Sequence, residues 1–173
     1  MKKLALTDFA KYRYPSALEL SPDGRYLTFA LKDVDREGDG YRWNLWLYDL
    51  ERRESRQITQ GDDQRKAVWE DNTHILYKTT EPDEALRARG FEEEWTVYHR
   101  LNVCTGEDRE AFRLPMSVSG LWKMDEGRYV FTGETHLDRP NLLELTGEAL
   151  EKELVRRQQT KGYKVLTELP LCE

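Results

Sequence analysis

A serine hydrolase places its nucleophile on a sharp strand-to-helix turn, written Gly-x-Ser-x-Gly in sequence. The chain has five serines: Ser16, Ser21, Ser55, Ser117 and Ser119. The nearest approach to the pattern is Ser117-Val118-Ser119-Gly120, which lacks the first glycine, and Ser119 reads as a residue leading into a strand. His74, His99 and His136 follow no metal spacing such as His-Glu-x-x-His. His74 and His99 fall in strand-like stretches, and His136 lies in a polar loop with Asp138 and Arg139. Cys104 and Cys172 match no zinc pattern and read as free thiols. The acidic stretch from Asp33 to Gly40 lacks the ligand alternation and closing Glu of a calcium loop. It also lacks the lysine and helix start of a phosphate loop, so it reads as a hairpin turn. The carboxylate run Glu92-Glu93-Glu94 has the form of a solvated acidic loop. No catalytic residue, metal or cofactor is expected of this chain.

The remaining pattern is structural. Five Trp, nine Tyr and five Phe argue for a packed interior despite a charged fraction of 35%. Net charge is −6 with both signs interspersed, which leaves no basic stripe for nucleic acid. No apolar run could span a membrane. The opening Met1-Lys2-Lys3-Leu4-Ala5-Leu6 stops at Thr7-Asp8, too short for an export core, so a cytoplasmic protein is expected.

A repeat runs along the chain. Ser21-Pro22-Asp23-Gly24 is a tight-turn sequence followed by an alternating strand from Tyr26 to Ala30. Asp71-Asn72 before Ile75-Leu76-Tyr77, and Asp125-Glu126-Gly127 before Tyr129-Val130-Phe131, repeat it. Apolar residues lead each turn: Leu18 and Leu20, Val68 and Trp69, Leu121 and Trp122. A second hairpin repeats as well, with Asp49 aligned to Asn102, 53 residues on. Four short strands over about 50 residues is the period of a propeller blade.

The expected fold is mainly β: an incomplete β-propeller of two to three four-stranded antiparallel blades with short helical insertions. Blade one covers 14–61, blade two 64–114, and a partial blade three 118–173 holds a helix near 146–159. A short helix is expected over Pro82–Gly90, a one-turn helix at Thr7–Lys11, and a strand at Tyr163-Lys164-Val165-Leu166. A closed propeller takes about four or more blades, so a truncated chain or gene fragment is expected, with self-association through the exposed sheet edges. The rival reading is a small non-propeller β domain with helical decorations.

These residues resemble a known family. Asp8-Phe9 with Ala17 to Leu27, Asn44 to Leu50 with Gln57-Ile58-Thr59, Glu93 to Tyr98, and Gly162 to Pro170 are similar to the propeller part of prolyl oligopeptidase family serine peptidases. The likeness is to acylaminoacyl-peptidase-like and dipeptidyl-peptidase-like members. It implies a non-catalytic N-terminal propeller that gates short peptides into an α/β-hydrolase domain. The partners it implies are the missing blades, that hydrolase domain and the parent's peptide substrate. In dipeptidyl-peptidase relatives a propeller Glu pair binds the substrate's free amino terminus, which makes Glu93 and Glu94 the substrate-binding candidates. A carboxylate pair suits an ammonium, which offers three donors and a charge. The alternative function is a non-enzymatic propeller used for binding or scaffolding.

Overall fold

The computed structural model describes residues 11–35, 40–61, 63–125, 127–136 and 138–160. The protein is mainly β, with antiparallel sheets and few helices. Sheet one runs in the order β1 (Tyr14–Leu20), β2 (Tyr26–Asp35), β3 (Gly40–Asp49) and β4 (Glu54–Gln57). Sheet two has the same order: β5 (Ala67–Trp69), β6 (His74–Pro82), β7 (Glu94–Asn102) and β8 (Asp108–Leu114). Sheet three pairs β9 (Ser117–Lys123) with β10 (Tyr129–Glu134). Neighbours in sequence are thus neighbours in space.

Side chains, acting through the turns, set this order. In the first turn Ser21 Oγ donates to Asp23 Oδ1 (2.7 Å) and accepts from Tyr26 N (2.9 Å), while Gly24 sits at φ 73°. In the equivalent turn of sheet two, Asp71 Oδ1 accepts from Thr73 N (2.7 Å) and His74 N (2.8 Å). The β3–β4 turn is closed by Asp49, whose Oδ1 accepts from Glu51 N and Arg52 N, both at 3.0 Å. Asn102 does the same for β7–β8, accepting from Cys104 N (2.9 Å) and Thr105 N (3.0 Å). Four residues after each of these comes a left-handed residue, Arg53 at φ 59° and Gly106 at φ 80°. Glycine adopts that conformation freely and arginine does not.

Alternation along the strands gives each sheet a leading and a trailing face. The trailing face of sheet one presents the register pairs Thr28–Leu47 and Ala30–Leu45. It packs on the leading face of sheet two, where Trp69, Ile75, Tyr77 and Leu101 join the same core. Leu45 and Ile75 are fully buried there, each contributing about 1.5–3 kcal/mol by leaving water. The trailing face of sheet two, with Leu76 and Tyr98, packs on Val118, Leu121 and Tyr129 of sheet three. The first strands lie side by side, β1 against β5 and β5 against β9. Trp69 Nε1 seals the first of these contacts by donating to Glu19 O at 3.1 Å.

The third repeat carries an offset. Leu20 pairs with Leu27, Trp69 with Ile75, and Lys123 with Tyr129 across the corresponding turns. Lys123, not Trp122, therefore occupies the place of Trp69. Leu121 points into the core, and Trp122 falls on the opposite, trailing face, where it is 48% exposed.

The helices form a separate layer. Helix α1 (Glu84–Arg87) is capped by Asp83, which accepts from Leu86 N at 3.0 Å. A 3-10 turn (Leu142–Glu144) precedes α2 (Gly147–Thr160). Leu86, Leu142 and Leu154 from these three elements make a small buried cluster. The expected strand at 163–166, Cys172, and the centre of the acidic 33–40 loop lie outside the described residues, as does the expected turn at Thr7–Lys11 apart from Lys11.

Candidate functional site

Glu93 and Glu94 sit where the helical layer meets sheet two. Glu94 opens β7 opposite Pro82, and the Glu93 carbonyl accepts from Asp83 N at 2.9 Å. Arg157, in the last turn of α2, decides the state of Glu93. Its Nη1 donates to Glu93 Oε1 at 2.9 Å, its Nε to Glu153 Oε1 at 3.0 Å, and its Nη2 to Pro140 O at 2.5 Å. Glu153 is buried and also takes a two-pronged bond from Arg156, both contacts at 2.7 Å. The Arg156 hydrogen bonds, with those of Arg157, pull the Glu153 carboxyl down to about 2. Arg89 grips Glu151 through two bonds of 2.6 and 2.7 Å, so the helix is pinned along its length.

Glu93 thus already holds a guanidinium, and an ammonium reaching that carboxylate would share it with Arg157. Glu92 and Glu94 are exposed. All three carboxylates line clefts of about 210 and 320 Å³. Ser117, Glu134, His136 and Arg139 also border the smaller cleft. No hydrogen bond joins Ser117 to His136, so no nucleophile–base couple is formed there among the described residues.

The other chemistry-bearing residues are engaged in the fold. Ser119 Oγ bonds with Thr132, 3.2 Å from its carbonyl and 2.9 Å from its hydroxyl. His74 Nδ1 lies 2.9 Å from Asp71 Oδ2, and its Nε2 lies 3.2 Å from Asn102 Nδ2. His99 stacks on Tyr77 at 5.2 Å and reaches Thr79 Oγ1 at 3.2 Å. Cys104 is exposed, its sulfur 3.9 Å from the Tyr26 hydroxyl. Among the described residues no group of three His, Cys, Asp or Glu could hold a metal, and no helix is long and apolar enough to cross a membrane.

One polar junction escapes the sequence reading. Glu70, its side chain only 8% exposed, takes both prongs of Arg100 and the Tyr129 hydroxyl, and so ties sheet two to sheet three. Burial would raise the Glu70 carboxyl, but the bonds from Arg100 and Tyr129 outweigh it and hold the group below its ordinary value. Burial, then the Glu70 bond, pushes the Tyr129 phenol up to about 12. Glu70 heads its turn as Ser21 does in sheet one, since each donates its backbone N–H across the hairpin. A carboxylate at that aligned position is the signal that could have marked it. The junction is mutually paired and lines a cleft of about 310 Å³ that Asp71, His74 and Lys123 also border.

No family model matches the chain, and no curated protein matches it. Among solved structures it is similar to Pyrococcus horikoshii acylaminoacyl peptidase, at 13% sequence identity and a TM-score of 0.49. The match covers 65% of this chain and 16% of that one, so the chain spans a small part of that protein's length.

Proposed function

We propose that the chain is a non-catalytic β-propeller module of a serine peptidase of the prolyl oligopeptidase family. Its sheets would be successive blades, and the completed propeller would gate short peptides to an α/β-hydrolase domain that carries the nucleophile. The observation that carries the propeller reading is the stacking itself. Two meanders of identical strand order pack face to face, a third sheet follows, and the first strands β1, β5 and β9 lie next to one another. Propeller blades meet in this way around a central axis. The peptidase assignment rests on the motif resemblance along the chain, and because the chain has no Gly-x-Ser-x-Gly the nucleophile is assigned to the hydrolase domain. The partners are further blades, the hydrolase domain and the peptide substrate of the whole protein, in the cytoplasm.

An antibody raised against this chain tests the reading in extract of the source cells treated with a fluorophosphonate probe. The expected result is a recognised protein that exceeds 20.5 kDa and carries the probe, or a 20.5 kDa protein that co-purifies with a labelled hydrolase. An unlabelled 20.5 kDa protein with no labelled partner would contradict it and favour a non-enzymatic binding propeller.

A further inference from the structure

We propose that the cleft between sheets two and three binds a small phosphate-bearing anion, held by Arg109 of β8 and Lys123 of β9. This rests on where the fold places charged residues and not on the peptidase assignment.

The repeat supplies a second cleft for comparison, between sheets one and two. Arg56 stands opposite Leu47 in sheet one, and Arg109 stands opposite Arg100 in sheet two, each 53 residues on. Arg56 crosses to the next sheet, where its Nη2 donates to the Val103 carbonyl. Its cleft is balanced in charge, since Arg52 and Arg56 border it with Asp49 and Glu54. The cleft of about 310 Å³ between sheets two and three is not balanced. There Arg100, Arg109 and Lys123 face only the carboxylates of Glu70 and Asp71.

Both carboxylates are already engaged. Glu70 takes two bonds from Arg100 and one from the Tyr129 hydroxyl. Asp71 accepts from Thr73 N and His74 N and lies 2.9 Å from the His74 ring. Among the described residues, no hydrogen bond, ion pair or ring contact holds the Arg109 side chain. Lys123 Nζ donates to the Glu70 carbonyl, which leaves the ammonium charge uncompensated. Lys123 also stands where sheet two has Trp69, so the third repeat puts a cation in the place of an indole.

Like charges directly opposite one another in a sheet are destabilising, and Arg100 and Arg109 carry that cost. An anion in the cleft would offset it. A neighbouring backbone would supply carbonyls, as Val103 does to Arg56, and would leave the excess positive charge in place. Arg109 and Lys123 are exposed, so a ligand reaches them from solvent. The cleft has the size of the smallest ligand sites, which start at about 300 Å³. A phosphate offers oxygens in several directions, to a guanidinium from one sheet and an ammonium from the next. A carboxylate has two oxygens in one plane and suits the guanidinium fork alone.

Titration of the full chain with inorganic phosphate, followed by amide NMR at fixed ionic strength, tests this. Sodium acetate and sodium chloride are the parallel titrants. The expected result is saturable shifts at His74, Arg109 and Gly127, with a dissociation constant of about 1 mM or tighter. Acetate should bind more weakly, and chloride should give no saturable shift. Arg109→Gln and Lys123→Gln should each weaken phosphate binding about 10-fold or more, the scale for a hydrogen bond to a charged group. Arg128→Gln removes a cation of the same turn that pairs with Asp125 outside the cleft, and should leave binding unchanged. If Lys123→Gln loses the dispersed spectrum of the natural chain, Arg109→Gln and Arg109→Glu decide the question, since that side chain holds nothing in the fold. The absence of saturable shifts with phosphate overturns the proposal. So does binding that survives Arg109→Gln undiminished, acetate binding as tightly as phosphate, or Arg128→Gln weakening it as much as Arg109→Gln. Any of these would leave the proposed function standing, because the immunoblot decides that separately.

Discussion

Arg157 and Glu93, 64 residues apart, meet at 2.9 Å and fasten helix α2 to the chain entering β7. The Arg157 side chain is only 14% exposed, and its second partner, Glu153, is 8% exposed. Removing the guanidinium would leave Glu93 without that partner and Glu153 held by Arg156 alone. Arg157→Ala is expected to cost about 1–3 kcal/mol, the scale for taking one partner from part-buried hydrogen-bonded groups. Amide hydrogen exchange should show α2 losing protection while sheet one keeps it.

Acid should release the same helix. The Glu153 carboxyl falls from an ordinary 4.5 to about 2 in the folded chain. A depressed folded value means the stabilisation is complete above pH 4.5 and is lost as pH falls towards 2. Asp71 adds to the loss over a similar window. Burial would raise it, but the N–H groups of Thr73 and His74 bring it from 3.8 to about 2. Chemical denaturation at stepped pH should show stability declining through this window. Glu153→Gln should flatten the decline.

Buried and open apolar side chains should answer differently to truncation. Leu45 is fully buried against sheet two, so Leu45→Ala should cost about 2–5 kcal/mol. Trp122 is larger but stands on an open face, and Trp122→Ala should cost the monomer about 0.5 kcal/mol or less. Urea denaturation of both variants at low protein concentration measures the contrast.

Arg53 occupies the left-handed position that Gly106 fills in the equivalent turn. Arg53→Gly should therefore stabilise the chain by about 0.5–1 kcal/mol, the strain of a non-glycine residue at positive φ outweighing the added chain entropy. A thermal melt should show the midpoint rising.

Much of the β architecture was legible in the sequence because its determinants are local. Asp23-Gly24 and Asp49 close their turns through hydrogen bonds spanning a few residues, and the alternation from Tyr26 to Ala30 follows directly from the pleat. The helix expected near 146–159 forms over Gly147–Thr160, with an acidic first turn and a basic last turn. The offset in the third repeat was not legible. Trp122 aligns with Trp69 by type, but the turn lengths put Lys123 in that place and send Trp122 to the other face. The pairing of Glu93 with Arg157 was equally hidden. A run of three glutamates reads as solvated surface, and nothing local announces a guanidinium arriving from a helix 64 residues later.

In the proposed propeller the sheets would be wedges around an axis, close at their first strands and apart at their fourth. β1 packs on β5, whereas a cleft of about 370 Å³, bordered by Glu54, Arg56 and Cys104, opens at the β4 side. Spin labels in a chain with both cysteines changed to serine test this by pulsed dipolar spectroscopy. One pair joins Ser16 of β1 to Lys66 just before β5, and the other joins Gln57 of β4 to Glu110 of β8. A clearly shorter separation is expected for the first pair than for the second. Equal separations near the roughly 10 Å spacing of a parallel-faced sandwich would contradict it.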